Sequence, residues 1–271
     1  MNKISKVEIQ KAELNLLQEF HEFCQSNGLK YSLCGGTLLG AVRHKGFIPW
    51  DDDVDVLMLQ EDFDKFINIA SSQNTAFGLI YHGNTPTYFD FVAKIYDKNT
   101  LIEDELMDYQ NMGLGLHIDV CPIKLLGSSY NDAIKIYNSL KIWRELLITK
   151  NWNHYTKSKT RKWYYEPARF LLYLIGKLFD GNKLMVKMEN EYKKLDTSNS
   201  LFAGCVYGSY REKEIMNIEA FREYLLMPFE NKEFFCIKNY DIYLSNLYGD
   251  YMKLPPEEKR KSHHYFTAYL K

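Results

Sequence analysis

Apolar residues in the first third of the chain switch between helical and extended spacing. Residues 7–27 carry apolar side chains at helical intervals, and Asn27-Gly28 is a typical signal for the end of a helix. Four further elements follow in the pattern: a strand over 29–34, a helix over 37–44, a strand over 54–59 and a helix over 61–72. The pattern therefore predicts short strands and helices in alternation.

From residue 77 to residue 123 the spacing becomes extended. Residues 88–96 would place three alternate side chains on one face of a strand, namely Asp90, Val92 and Lys94. Residues 114–121 separate an apolar face from a second face with His117, Asp119 and Cys121. Because an unpaired carboxylate is costly in a buried strand, Asp119 is a candidate functional residue.

Helical spacing dominates residues 131–195, with breaks near Asn153 and Pro167, and short mixed elements return after residue 201. We therefore expect helices and strands in three parts. These are a core of strands and helices over 1–130, a basic helical segment over 131–195 and a C-terminal subdomain over 196–271.

Charge is distributed unevenly, although the net charge of the 271 residues is only −1. Residues 1–130 carry a net charge of −8, residues 131–195 of +8 and residues 196–271 of −1. The basic segment could face an anionic substrate or an anionic membrane surface, or it could be a solvated helical face. It contains no known motif for reading nucleic acid, and the acidic N-terminal part would repel phosphate, so we expect no nucleic-acid partner.

Other features indicate the compartment. The five cysteines are odd in number and lack zinc-site spacing, which favours a reducing environment. No apolar signal segment follows Met1, and no run reaches the roughly 20 apolar residues of a membrane span. The longest apolar run, at 170–176, predicts a core helix, with an interfacial helix as the alternative.

The main candidate for chemistry is a glycine pair that precedes two alternate carboxylates. Gly35-Gly36 opens a predicted helix, where backbone N–H groups can approach phosphate closely. In the strand that follows, Asp53 and Asp55 share one face, and Asp119 is the best third carboxylate. Such oxygen ligands suit Mg²⁺, and paired ions of this kind serve phosphoryl transfer.

The stretch from Gly35-Gly36-Thr37 through Arg43 and Trp50 to Asp53-Val-Asp55 resembles the signature of the LicD/fukutin family. The resemblance continues through 94–98, 118–122 and 248–256 and so covers most of the chain. It implies an α+β fold of the nucleotidyltransferase type, a mixed β-sheet flanked by helices, here with a helical insertion and a small C-terminal subdomain. It also implies an enzyme that moves phosphocholine from CDP-choline to a hydroxyl of a surface glycan, such as teichoic acid or lipo-oligosaccharide, and releases CMP.

The resemblance also implies roles for individual residues. Asp53 and Asp55 match the paired metal ligands and Asp119 the third, with Mg²⁺ or Mn²⁺ as the cofactor. The donor pyrophosphate would bind at Gly35, Gly36 and Thr37, and Arg43 and Lys94 would be phosphate partners. Choline, a quaternary ammonium, is best held by aromatic faces, for which the candidates are Trp50, Tyr207 and Tyr210. The basic tail with Arg260, His263 and His264 receives no role.

Two alternatives use the same carboxylates. One is a nucleotidyltransferase that attaches a nucleotide to a small molecule or a protein, and the other is a non-catalytic metal- or nucleotide-binding module. For the transferase we expect CDP-choline as donor, a glycan or lipid-linked glycan as acceptor, and a peripheral contact with the membrane. The expected location is the cytoplasm, at the inner face of the membrane.

Overall fold

The computed structural model describes residues 2–158, 162–208, 210–260 and 266–271. His263 and His264 of the basic tail lie outside them. Within the described residues the chain forms seven α-helices and twelve β-strands. The first ten elements are β1 (Asn2–Lys3), α1 (Lys6–Ser26), β2 (Ser32–Leu33), α2 (Gly35–Arg43), β3 (Val54–Leu59), α3 (Gln60–Ser72), β4 (Gly78–Ile80), β5 (Ala93–Tyr96), β6 (Thr100–Asp104) and β7 (His117–Leu125). The others are α4 (Tyr130–Asn151), α5 (Glu166–Leu178), α6 (Gly181–Tyr192), β8 (Phe202–Gly204), β9 (Met216–Asn217), β10 (Tyr224–Phe229), β11 (Lys232–Ile237), α7 (Tyr240–Tyr248) and β12 (Phe266–Leu270).

The main sheet is mixed. Its strand order is β2-β3-β7-β5-β4, and β8 joins β7 and carries β9. Strands β3 and β7 are parallel, whereas the other pairs in this sheet are antiparallel. In the parallel pair Asp55 lies directly opposite Asp119. A mixed sheet together with seven helices confirms the α+β class.

The largest core explains why β3 presents Asp55 on its other face. Val54 and Val56 are buried in it, so the alternation of the strand turns Asp55 to the other face. Phe20 of α1 and Phe66 of α3 pack in the same core, together with apolar residues of α2, the β10–β11 hairpin and α7. A second core joins α4 and α6, and a third lies under the small sheet of β1, β12 and β6.

Most of the predicted elements are confirmed, and the strand predicted over 88–96 is wrong in its first half. Only Ala93–Tyr96 is extended, so Lys94 lies on a strand but Asp90 and Val92 do not. The carboxylate of Asp90 accepts a hydrogen bond from the Val92 N–H at 3.1 Å, and the Tyr88 hydroxyl donates to the Val92 carbonyl at 2.9 Å. These local bonds compete with strand pairing.

One other boundary differs from the prediction. The strand predicted over 114–121 begins later, at His117, because the Leu114 carbonyl and the Leu116 N–H bond to Ile102 and Thr100 instead. The helical segment is confirmed as α4, α5 and α6. The predicted break near Asn153 and Pro167 is also confirmed: α4 ends at Asn151, and α5 begins at Glu166, with Pro167 in its first turn, where proline is tolerated.

Candidate active site

A cleft of about 760 Å³ lies at the start of β3. Its lining comes from helix α2, from five residues of the segment 48–55 (Ile48, Trp50, Asp51, Asp53 and Asp55), from most of the segment 248–256, and from Tyr210. Its carboxylates include Asp51, Asp53 and Asp55. The C-terminal part of the chain therefore supplies one wall of a cleft whose acidic wall comes from residues near position 50.

The structure brings the three predicted carboxylates into one neighbourhood. Asp53 precedes β3, Asp55 is its second residue, and Asp119 is the register partner of Asp55 on β7. Burial raises the pKa of Asp55 well above its usual range, and the nearby charges of Asp53 and Asp119 raise it further. Asp119 is not among the residues that line the cleft; it lies beside Asp55 on the sheet.

Lys94 occupies the other side of Asp119. Its ammonium lies 2.5 Å from Asp119 Oδ1, and the side chain is almost fully buried. Burial alone would lower the pKa of Lys94, but attraction by Asp119 and contact with Tyr109 outweigh it and raise the pKa. His117 Nε2 lies 3.6 Å from the same carboxylate oxygen. Lys94 thus contacts a carboxylate rather than lining the cleft, where a phosphate partner would lie.

The Gly-Gly turn packs tightly on the acidic segment. Gly35 has a φ of +53°, in the left-handed region that favours glycine. A Cβ atom on Gly36 would lie 2.6 Å from Asp51 Oδ2, so only glycine fits there without displacing this carboxylate. The buried Thr37 hydroxyl accepts a hydrogen bond from the Asp55 N–H at 2.9 Å. Of the three predicted pyrophosphate-binding residues, Gly36 lines the cleft, and Thr37 holds the backbone of Asp55.

Arg43 ties helix α2 to the C-terminal wall. Its Nη1 donates to the Tyr251 carbonyl at 2.7 Å, and a longer bond of 3.4 Å reaches the Lys253 carbonyl. Burial lowers the pKa of the Arg43 guanidinium, although the group remains a cation. Arg43 also lines the cleft, so its charge lies where the predicted phosphate contact would need it.

Four aromatic residues line the cleft, namely Trp50, Tyr210, Tyr248 and Tyr251. The hydroxyls of Tyr210 and Tyr248 lie 2.7 Å apart. The Trp50 ring also faces the guanidinium of Arg260 at 5.7 Å. Tyr207, by contrast, does not line the cleft: it stacks on Phe91 at 3.7 Å and donates to Glu189. Two of the three predicted choline contacts therefore lie at the cleft.

The sequence reasoning missed several residues. Asp51, Tyr248 and Asp250 line the cleft but were not predicted as site residues. The sequence had singled out their segments, the acidic run and the 248–256 motif, without assigning these residues a role. Glu13 of α1 is buried, and its Oε2 has no hydrogen-bond partner among the described residues. Burial raises its pKa well above the usual range, with Asp53 as the next cause. The sequence could have indicated Glu13, because it is an acid on the otherwise apolar face of α1.

The donor atoms suit a hard divalent cation, although no three His, Cys, Asp or Glu side chains of the described residues form a ready-made metal cluster. Asp53 and Asp55 line the cleft, and burial, followed by repulsion from the neighbouring acids, raises the pKa of Asp55. A bound cation would relieve that repulsion. Asp119 could join such a site, but its Oδ1 is already shared with Lys94.

Comparison with known proteins identifies the family of this chain. Residues 28–174 match the family described as "LicD/FKTN/FKRP, nucleotidyltransferase domain". The chain is 31% identical over 285 aligned positions to the "Lipopolysaccharide cholinephosphotransferase LicD" of Haemophilus influenzae, and the alignment covers all of both chains. Over 38 residues it is 53% identical to "Ribitol 5-phosphate transferase FKRP" of human and of mouse, which covers 14% of this chain and 8% of each relative. A family match over more than half of the chain and a relative aligned from end to end establish that this protein belongs to the LicD family.

Proposed function

We propose that this protein transfers phosphocholine from CDP-choline to a hydroxyl of a cell-surface glycan precursor of the teichoic acid or lipo-oligosaccharide type, and that it releases CMP. The observation that carries the proposal is the placement of Asp53 and Asp55 in a cleft of about 760 Å³, in a chain that aligns end to end with a cholinephosphotransferase. Clefts of this volume suit small-molecule ligands. We assign the core to the nucleotidyltransferase-like architecture on the same grounds.

In the proposed reaction the acceptor oxygen attacks the phosphorus that carries choline. The bond between that phosphorus and the bridging oxygen breaks, and CMP leaves with the electron pair. The acceptor proton passes to a carboxylate. Asp55 is better placed than Asp119 to accept it, because Asp55 lines the cleft and Asp119 does not.

Magnesium, or manganese in its place, would be held by Asp53 and Asp55, with Asp119 beside them; when bound it would neutralise charge on the pyrophosphate. The chain's own residues orient the donor. Gly36 lets the backbone approach the phosphates, and Arg43 adds a positive charge in the cleft. Trp50, Tyr210 and Tyr248 offer aromatic faces to the choline cation, next to carboxylates of opposite charge.

We place the reaction in the cytoplasm, at the inner face of the membrane, with a glycan or a lipid-linked glycan as acceptor. Support comes from the five cysteines, all of which are unpaired, as expected in a reducing compartment. We also retain the three-part division of the chain. The contribution of Tyr210 and residues 248–256 to the cleft supports a C-terminal subdomain that completes the site.

The test is a product analysis with the purified chain, CDP-choline, Mg²⁺ and a lipo-oligosaccharide or teichoic acid preparation. We expect CMP release that matches choline incorporation into the glycan. Asp53→Asn should lower this rate by about 100-fold or more, since removal of one charge-stabilising group commonly has effects of that size. Asp52→Asn is the matched control, because Asp52 belongs to the same acidic run but does not line the cleft.

Other outcomes would identify the alternatives. Release of pyrophosphate from a nucleoside triphosphate, without turnover of CDP-choline, would favour a nucleotidyltransferase. Calorimetric binding of CDP-choline with no turnover of either donor would favour a non-catalytic module. Normal turnover by Asp53→Asn would show that the site assignment is wrong.

A further inference from the structure

Helix α5 is apolar on two sides, and only one of them is covered by other described residues of the chain. Leu172 and Ile175 pack into the second core with α4 and α6. Gly176 lies against α4 so closely that a Cβ atom there would sit 3.0 Å from the Leu146 carbonyl. On the opposite side Leu171, Leu174 and Leu178 are 57%, 45% and 85% exposed. Their spacing of three and four residues places them on one line along the helix, which we call the outer face of α5.

Aromatic residues extend this apolar surface. The short 3₁₀ turn Trp163–Tyr165 directly precedes α5, and all three of its side chains are exposed, Trp163 to 82%. Phe170 within the helix and Phe179 directly after it are also exposed. Single exposed apolar residues are ordinary, but eight within residues 163–179 form a patch of the kind that marks an interaction site. Tryptophan and tyrosine are typical of membrane–water interfaces.

The charge around this patch is positive. The described residues of this stretch, 150–158 and 162–183, hold six Lys or Arg and two acids, Glu166 and Asp180. Glu166 is bound by Arg169 at 2.9 Å and by the Tyr155 hydroxyl, and Asp180 accepts the Lys183 N–H at the start of α6. Both acids thus have partners within the fold, and the surrounding surface is left with a net positive charge that complements an anionic partner.

We propose that the outer face of α5 and the preceding aromatic turn dock on an anionic lipid surface. The described helices include none that could cross a membrane, and α5 has only 13 residues, which suits a helix lying in the interface. A symmetric contact between two copies would place this patch against itself and bring two strongly basic segments together, which charge repulsion opposes. The inference deepens the proposed function, because it names the surface on which a lipid-borne acceptor would be met, but it rests on residues outside the cleft.

The experiment is vesicle sedimentation of the full chain, without donor or acceptor, so the result is independent of the transfer assay. The probes are vesicles of equimolar phosphatidylglycerol and phosphatidylcholine, and vesicles of phosphatidylcholine alone. We expect binding to the anionic vesicles that weakens as salt is raised, and much weaker binding to the neutral ones. The double variant L171E/L174E should lose about tenfold or more in the partition coefficient, because two exposed apolar side chains become anionic.

The matched control is V7E/L226E, which places the same two charges at exposed apolar positions of α1 and β10. It should bind vesicles like the unmodified chain. Circular dichroism and thermal unfolding of both variants establish that they are folded, which is expected since all four positions are exposed. The proposal is overturned if the unmodified chain stays in the supernatant, or if L171E/L174E binds as tightly as the control. It is also overturned if sedimentation velocity detects a dimer that only L171E/L174E disrupts.

Discussion

Replacement of Asp55 by asparagine should stabilise the protein in a chelator and destabilise it, relative to the unmodified chain, in saturating Mg²⁺. Asp55 and Asp119 are register partners on parallel strands, so their side chains leave the same face of the sheet about 4.8 Å apart at the backbone. Two carboxylates about 5 Å apart repel each other by about 3 kcal/mol at an effective dielectric constant of about 20. Lys94, at 2.5 Å from Asp119, offsets part of this repulsion.

We therefore expect Asp55→Asn to raise the free energy of unfolding by about 1–2 kcal/mol in a chelator, since asparagine keeps the shape and removes the charge. That corresponds to about 2–4 °C in melting temperature for each kcal/mol. With Mg²⁺ at about 100 times its dissociation constant, the unmodified chain should gain about 2.7 kcal/mol. The variant should lose most of that gain, so the order of the two stabilities reverses.

The measurement is urea unfolding followed by tryptophan fluorescence, with and without Mg²⁺. Asp64→Asn is a suitable control, because Asp64 is an exposed acid of α3 away from the cleft. Both results expected for Asp55→Asn must appear together. If the variant were less stable than the unmodified chain in chelator, and Mg²⁺ stabilised both equally, the assignment of Asp55 to a repulsive, cation-binding cluster would be refuted.

Two further predictions concern the surroundings of the site. Thr37→Val should lower the free energy of unfolding by about 1–3 kcal/mol, because the Asp55 N–H loses its acceptor, whereas Thr37→Ser should retain most of it in the same urea assay. Burial raises the pKa of Glu214 from 4.5 to about 8, so its contribution to stability is complete below the unfolded pKa and is lost as pH rises through the folded pKa. Between these two pKa values the free energy of unfolding should fall by up to about 1.4 kcal/mol per pH unit, and Glu214→Gln should make its pH dependence flatter. If the free energy of unfolding of the unmodified chain did not change over this pH range, the prediction would be contradicted.

The parts of the fold that depend on local pattern could be predicted from the sequence. Strand β3 has the predicted bounds, because the alternation of Asp and Val specifies both an extended backbone and its buried face. Helix α1 is within one residue of its predicted ends, because a long amphipathic pattern and Asn27-Gly28 define it. The strand predicted over 88–92 is absent, because the hydrogen bond from the Val92 N–H to Asp90 is a local preference that the alternation of side chains does not reveal.

The site itself depends on contacts that no local pattern contains. Asp55 and Asp119 are 64 positions apart in the sequence and meet because β3 and β7 pair in parallel. A shift of one residue in that register would have turned the two acids to opposite faces of the sheet. The wall at 248–256 is joined to α2 by backbone carbonyls that accept from Arg43, and backbone acceptors leave no mark in a sequence. Glu13 was visible as an acid among apolar residues, but its proximity to Asp53 required the packed helix.

The position of Lys94 separates the roles of the three carboxylates. Its buried ammonium already compensates Asp119 from within the sheet, whereas Asp53 and Asp55 open onto the cleft. A cation that enters from solvent therefore meets Asp53 and Asp55 first, and it can reach Asp119 only in competition with Lys94. Neutralisation of Lys94 should thus tighten cation binding at Asp119 while it weakens the fold, because Asp119 would lose its compensating charge. In the proposed site the acidic cluster would thus be compensated twice, by the ammonium of Lys94 in the sheet and by a divalent cation in the cleft.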